Sequence, residues 1–435
     1  YVGAFIYLLI GELRLGRRRA DRAAELVAQC DPWLTDLRER VHFDWSSVSD
    51  AARSVGRLNE TVWGIPPVPG NQIELFHDFD HTIDRLVADI DAAETVCELE
   101  FYIWAKGGRA ADVAAALIRA VQRGVPCRVL VDDVGGRSFL RSTRAAELRA
   151  AGVQLRAALP TNTFKMLFVR FDLRLHRKLV VIDDRVAYTG SLNMADPRFF
   201  KQDAGVGHWV DAMIRIEGPA TKPLSLLSSH DWALETEHDL DLPELDETPH
   251  ASGTAAIQLI PSGPGQPDHA IERVIIMAVY AARREIILTT PYFVPDTGLL
   301  AALLSAAERG VAVTLIVPKE VDSKLVRWAS RAFESDLLAA GVTIAQFTGG
   351  LLHTKSITVD DELSLFGSLN LDPRSMHLNF EITLAIYDRD FTSRLRALQQ
   401  SYFADSDLLG PDAWEERNGF ARFLENTARL VGPLL

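Results

Sequence analysis

His176-Arg177-Lys178-Leu179-Val180-Val181-Ile182-Asp183 and His353-Thr354-Lys355-Ser356-Ile357-Thr358-Val359-Asp360 set His, Lys and Asp at one spacing, H-x-K-(x)4-D, twice in the chain. Each copy carries the same tail: Gly190, Ser191 and Asn193 after the first, Gly367, Ser368 and Asn370 after the second. One such motif arises by chance in roughly a few percent of chains of this length. A second with an identical tail does not. The duplication implies that two histidines and two lysines converge on one site, which is the equipment for breaking a phosphodiester through a covalent histidine intermediate.

Both motifs read as a strand, a tight turn and a return strand, turning at Asp183-Asp184-Arg185 and at Asp360-Asp361-Glu362. Side chains alternate faces along a strand, so His176 shares a face with Lys178, and His353 with Lys355. The candidate catalytic set is His176, Lys178, Asp183, His353, Lys355 and Asp360. Within it the two aspartates fall on the opposite parity, and they are expected to support the turn or a neighbour rather than touch phosphate.

Gly190 and Gly367 end the return strands, where a missing Cβ lets backbone approach a ligand. The hydroxyls of Ser191 and Ser368 and the amides of Asn193 and Asn370 are the expected phosphate donors. With two lysines they make a cationic cradle for a pentacoordinate transition state, so no metal or cofactor is needed. Two histidines divide the work. One, neutral, attacks phosphorus, and the other, protonated, gives its proton to the leaving alkoxide. Imidazoles in such roles are held in one tautomer by a carboxylate, and Asp211 and Glu381 follow their motifs at comparable distances. The other histidines, among them His77, His81, His230, His238, His250, His269 and His377, show no ligand-like spacing. A zinc site is not expected.

The duplication extends past the motifs. Arg123-Gly124-Val125 matches Arg309-Gly310-Val311, and Ala151-Gly152-Val153 matches Ala340-Gly341-Val342, each between an Ala-rich amphipathic stretch and an apolar run. Each half therefore reads as alternating helices and strands before its hairpin: an α/β unit with a mixed sheet, present twice. A chain of 435 residues holds two such units. The expected organisation is an apolar and basic helical region over 1–40, a first unit over 41–250 and a second over 251–435. The segment from His238 to Gly253, rich in Asp, Glu and Pro, is the expected linker. Two similar units pack about a pseudo-twofold axis, which puts the active site at their interface.

The run Tyr1 to Ile10 is apolar and precedes Arg17-Arg18-Arg19. Ten residues fall short of the roughly 20 that span a bilayer; a membrane-associated helix, the end of a longer hydrophobic segment, is expected here, with a buried core helix as the alternative. The arginines place the rest of the chain on the cytoplasmic side. Three unpaired cysteines point to a reducing compartment. A net charge of -13 argues against a nucleic-acid partner.

The chain resembles the phospholipase D superfamily and, within it, the bacterial cardiolipin synthases. The likeness spans nearly the whole chain. It rests on the two motifs and on the more specific runs Gly367-Ser368-Leu369-Asn370-Leu371-Asp372-Pro373-Arg374-Ser375, Leu378-Asn379-Phe380-Glu381, Ser262-Gly263-Pro264, Thr290-Pro291-Tyr292-Phe293-Val294-Pro295 and Pro433-Leu434-Leu435. The resemblance implies two tandem phospholipase D-like domains and a bacterial cytoplasmic-membrane enzyme with its catalytic domains facing the cytoplasm. Its substrate would be phosphatidylglycerol on an anionic membrane surface. It also implies that His176 is the nucleophile, and that each carboxylate serves the other half's histidine: Glu381 for His176, Asp211 for His353. The rival reading is a phospholipase D or phosphatidylserine synthase, with water or serine as acceptor.

Overall fold

The computed structural model describes residues 17–160, 172–236, 238–246 and 251–410. The strands of the first half are β1 Val68–Phe76, β2 Cys97–Phe101, β3 Cys127–Asp132, β4 Gln154–Ala158, β5 Arg174–Leu175, β6 Lys178–Ile182, β7 Val186–Gly190, β8 Trp209–Val210 and β9 Met213–Glu217. Those of the second are β10 Ala255–Ser262, β11 Glu285–Thr289, β12 Ala312–Pro318, β13 Thr343–Phe347, β14 Leu351–Leu352, β15 Ser356–Val359, β16 Leu363–Gly367, β17 Asn379–Tyr387 and β18 Ser406–Leu408.

They join into one continuous sheet in the order β18-β13-β12-β11-β15-β16-β17-β10-β1-β9-β7-β6-β2-β3-β4. Counted outward from the antiparallel seam β10–β1, the order is the same on both sides until β18 extends one edge. That repeated order about an antiparallel seam is the expected pseudo-twofold relation. β2-β3-β4 and β11-β12-β13 run parallel, while the hairpins β6–β7 and β15–β16 run antiparallel, so the sheet is mixed as expected.

The hairpin strands are Val- and Ile-rich and buried on both faces, as central strands between helical layers are. Their turns need left-handed backbone, at Asp183 (φ 55°), Asp184 (φ 54°) and Asp360 (φ 51°), a conformation that Asp tolerates better than most residues. The helices Phe79–Ala92, Ala110–Gln122 and Thr143–Ala151 cover one face of the first half. The helix Thr221–Thr236 covers the other.

The first unit departs in space from the expected boundary at residue 41. The helix Asp50–Trp63 packs on the second half, against the helix Ala270–Ala281 and β10, with Asn59 donating to Gln258. Ahead of it, the helix Arg17–Arg40 lies on the body of the protein. Its face Leu26, Cys30, Trp33 and Leu37 is buried, and Trp33 Nε1 donates to Pro243 O at 2.7 Å. Arg19 pairs with Glu235 at 2.6 Å. Residues 17–40 therefore form a helix packed on the body of the protein, and the apolar run Tyr1 to Ile10 lies outside the described residues. No helix among the described residues is long and apolar enough to cross a membrane.

Two short strands change partners. β5, just before His176, pairs with the start of β17, and β14, just before His353, pairs with β8. Each half thereby lends its pre-motif strand to the other half's carboxylate strand.

Candidate active site

This exchange sets the register of the chemistry. His176 N donates to Phe380 O at 2.9 Å, and His353 N donates to Val210 O at 2.8 Å. The next residues on the partner strands are Glu381 and Asp211. His176 Nδ1 lies 2.7 Å from Glu381 Oε1, and His353 Nδ1 lies 2.6 Å from Asp211 Oδ1. With Nδ1 committed to a carboxylate, each ring turns Nε2 toward the shared cavity.

Both histidines line one cavity of about 300 Å³ at the interface, together with Asn193 and Asn370. Lys178 and Lys355 are buried beside it, and each Nζ donates to the carbonyl of its motif histidine, Lys178 at 2.6 Å. An ammonium has three donors, so each retains capacity for a phosphate oxygen. An aromatic ring stands against each imidazole: Tyr102 at 5.0 Å from His176, and Trp209 at 4.4 Å from His353.

Burial pushes both imidazoles down, to about 4 for His176 and about 4 for His353, so both are neutral near pH 7 before a substrate arrives. Burial also lowers Lys178, to about 8, and holds Lys355 well below the ordinary lysine range. Burial alone would raise Glu381 and Asp211. The hydrogen bonds from their histidine and serine partners and the nearby lysines Lys178 and Lys355 outweigh it, and both carboxyls stay ionised. Two carboxylates face two lysines beside the cavity, and an arriving phosphodiester adds one negative charge that favours a proton on one imidazole.

The serines differ from expectation. Ser191 Oγ donates to Asp211 Oδ1 at 2.6 Å, and Ser368 Oγ donates to Glu381 Oε2 at 2.5 Å. Each hydroxyl also accepts from the backbone, at Ala212 N and at Ile382 N. A hydroxyl has one proton to give. Ser191 and Ser368 therefore hold the carboxylates and are not phosphate donors. Gly190 and Gly367 serve this arrangement, since a Cβ on either would run into Ala212 O or Ile382 O. The asparagines differ from each other. Asn193 Oδ1 accepts from Ile103 N at 3.1 Å and its Nδ2 has no partner among the described residues, whereas Asn370 Nδ2 donates to Ser375 Oγ at 3.1 Å. Asn193 thus has both N–H groups of its amide to offer, and Asn370 keeps one.

The motif aspartates sit apart from the cavity, as parity required, and do not belong with the catalytic side chains. Asp183 accepts from the backbone N–H of Glu94, Thr95 and Val96 at 2.7–2.9 Å. Asp360 accepts from Arg283, Arg284 and Glu285 at 2.8–3.2 Å. Each fastens its hairpin turn to the entry of the neighbouring strand, β2 or β11.

A family model described as "Cardiolipin synthase, PLD-like domain" matches residues 86–216 and 275–402, one match in each half. Cardiolipin synthase A of Yersinia pseudotuberculosis serotype O:1b is 48% identical over 437 residues, covering 100% of this chain and 90% of that protein. The chain belongs to the cardiolipin synthase family. The same enzyme name is carried by a protein of Yersinia pestis bv. Antiqua (strain Angola), also 48% identical with the same coverage. In fold, phosphatidylserine synthase from Haemophilus influenzae superposes with a TM-score of 0.63 at 15% identity, over 88% of this chain and 100% of that one. Polyphosphate kinase from Porphyromonas gingivalis gives 0.54 at 14%, over 82% of this chain and 53% of the other. At such low identity these two establish the fold alone.

Several cavity residues of this family member escape the motif reading. Arg174 and Arg374 line the cavity from opposite halves, as do Tyr102 and Tyr292. At the rim, Lys201 of the first half pairs with Asp322 of the second at 3.1 Å, and Asp322 accepts from Tyr292 at 2.6 Å. Arg174 precedes His176 by two positions and Arg374 lies in the run shared with the family, so the flanks of the motifs were the available signal. Lys201 and Asp322 carry none. Arg177, inside the motif, is buried in an ion pair with Asp231 and does not line the cavity.

Proposed function

We propose that this chain is a cardiolipin synthase that transfers a phosphatidyl group from one phosphatidylglycerol to another and releases glycerol. The observation that carries the reading is the pair of interlocked His–carboxylate couples opening on one cavity beside two lysines. His176 Nε2 attacks phosphorus and forms a P–N bond while the P–O bond to glycerol breaks, and His353 gives the departing oxygen its proton. A hydroxyl of a second phosphatidylglycerol then loses its proton to His353 and attacks phosphorus, and the P–N bond breaks. Lys178 and Lys355 carry the charge that grows on the equatorial oxygens in both steps. Asp211 and Glu381 act as positioning residues.

An anionic membrane surface is the natural source of such a substrate. Phe199 supports that placement: it is 70% exposed and stands two residues before Lys201, which lines the cavity. The apolar run Tyr1 to Ile10 and the arginines after it support the same placement, with the catalytic body on the cytoplasmic side. The division of the chain at about residue 250 is part of this proposal, with the helix Asp50–Trp63, which precedes it in sequence, packed on the second half.

Incubation of the purified protein with phosphatidylglycerol vesicles, followed by resolution of the lipids, tests the reading. Cardiolipin with stoichiometric glycerol is the expected result. Phosphatidic acid as the sole lipid product would make water the acceptor and the protein a phospholipase D. Phosphatidylserine formed on addition of serine, without cardiolipin, would make it a phosphatidylserine synthase.

A further inference from the structure

Behind the wall of the catalytic cavity, three residues with no part in the reaction meet around one buried carboxylate. Glu272, in the first turn of the helix Ala270–Ala281, is 6% exposed and has imidazoles on both oxygens. His269 Nδ1 lies 2.6 Å from Oε2, and His377 Nε2 lies 2.8 Å from Oε1. Among the described residues no lysine or arginine pairs with it. A buried carboxylate calls for a compensating cation, and two imidazoles supply a full charge only when protonated. The potential around them is more negative still, since Asp268 and Asp296 both act on His377.

We propose that His269, Glu272 and His377 form a binding site for a divalent transition-metal ion of the zinc type. The donor set is two imidazole nitrogens and one carboxylate oxygen, the mixture that zinc accepts with a fourth position left to water. One ligand atom from each of the three lies within 4.8 Å of the others. Tetrahedral coordination at zinc distances spaces ligand atoms roughly 3.3 Å apart. The two hydrogen bonds therefore open slightly to admit the ion. His269, whose side chain is 68% exposed, is free to make that adjustment. A small cavity bounded by Asp268, His269 and His377 adjoins the trio and gives room for the water.

The site has a mechanical consequence. His377 ends the helix Pro373–His377, and Asp372, Arg374 and Ser375 of the same segment line the catalytic cavity. Asn379 and Glu381 follow directly on β17. An ion held between His377 and the helix Ala270–Ala281 ties that cavity wall to the body of the second half and stabilises the folded state by mass action.

Titration of the intact protein with Zn2+ in competition with a chromophoric chelator tests this, with Tm followed in parallel. One saturable Zn2+ per chain and a raised Tm are expected. Glu272→Gln, His377→Gln and His269→Ala should each weaken binding by at least tenfold and abolish the Tm rise. His269→Ala alters an exposed side chain and keeps the test usable if the buried variants fail to fold. Absence of saturable binding in the unaltered protein overturns the proposal, and so does binding that His269→Ala leaves unchanged. Either result leaves the phosphatidyl-transfer reading untouched, because that rests on other residues and another assay.

Discussion

The two halves offer the same motif in unequal settings. Glu381, which serves His176, is fully buried and receives hydrogen bonds from the imidazole, from Ser368 and from Asn379 at 3.2 Å. Asp211, which serves His353, has a shorter side chain that is 12% exposed and takes side-chain hydrogen bonds from His353 and Ser191. The residue after each histidine differs too. Arg177 donates to the backbone oxygen of Glu381 at 3.1 Å, whereas Thr354 makes weaker contacts to Val210 O and the Tyr402 hydroxyl. The first centre is clamped from more directions. A nucleophile that must hold one line of attack through two displacements suits the clamped centre, and a proton shuttle that meets both the leaving and the entering oxygen suits the other.

The sharpest way to break this contrast is to remove each imidazole. His176→Ala and His353→Ala should both abolish turnover, but only the enzyme lacking His353 can accumulate a lipid adduct on its remaining histidine, because breakdown needs the base. Acid-quenched labelling with radioactive phosphatidylglycerol and peptide mapping reads this out. An adduct on His353 of the unaltered enzyme would exchange the roles of the two halves.

The lysines come next. Lys178→Ala and Lys355→Ala should each lower kcat by about 10²–10³, the loss associated with one donor to a developing oxyanion. A pH titration sharpens the test. Lys178 in the empty site is lowered to about 8, so its ammonium is present below that pH and is lost above it. Affinity for glycerophosphoglycerol, a soluble phosphodiester whose charge is constant over this range, should fall as the pH rises through about 8, and Lys178→Met should remove that limb. An affinity that is flat across the ordinary lysine range would mean that Lys178 does not hold the phosphate.

The carboxylates test the asymmetry itself. Glu381→Gln and Asp211→Asn keep shape while removing charge, and a lost partner behind a functional histidine costs about 10–100-fold. Glu381→Gln should stand at the upper end and Asp211→Asn at the lower. Glu381→Gln should slow adduct formation in single-turnover experiments, and Asp211→Asn should slow adduct breakdown more than formation. Equal effects of both substitutions on both steps would refute the division of labour.

Much of this is legible in the chain. Strand alternation places His176 beside Lys178 and His353 beside Lys355, and it sets Asp183 and Asp360 apart. The repeated Arg-Gly-Val and Ala-Gly-Val runs mark the two units. Local periodicity does not report which half a strand pairs with, so the exchange of β5 and β14 is open to resemblance but not to pattern. For the same reason the helix Asp50–Trp63 falls, by its place in the sequence, to the half that it does not cover. The serines mislead because a hydroxyl beside a phosphate site and a hydroxyl beneath a carboxylate have the same sequence signature. His269, Glu272 and His377 come together only through tertiary packing, since the two segments that carry them are far apart in the chain.

The smallest effect on catalysis belongs to the motif's own aspartates, and here the halves differ in count. Asp183 takes the hydroxyl of Thr95 at 2.8 Å besides three backbone N–H groups, while Asp360 takes three backbone N–H groups, with Arg284 where the first half has Thr95. Hydrogen bonds to a charged acceptor carry about 1.5–3 kcal/mol each before the loss is shared with water, and these carboxylates are partly exposed. Asp183→Asn should therefore lower folding stability by about 2 kcal/mol and Asp360→Asn by somewhat less, with kcat per folded molecule within about twofold of the unaltered enzyme. Urea denaturation paired with active-site titration separates the two quantities. A large fall in kcat at full occupancy of the fold would return the aspartates to the chemistry, and the parity argument that removed them from it would fail in both halves at once.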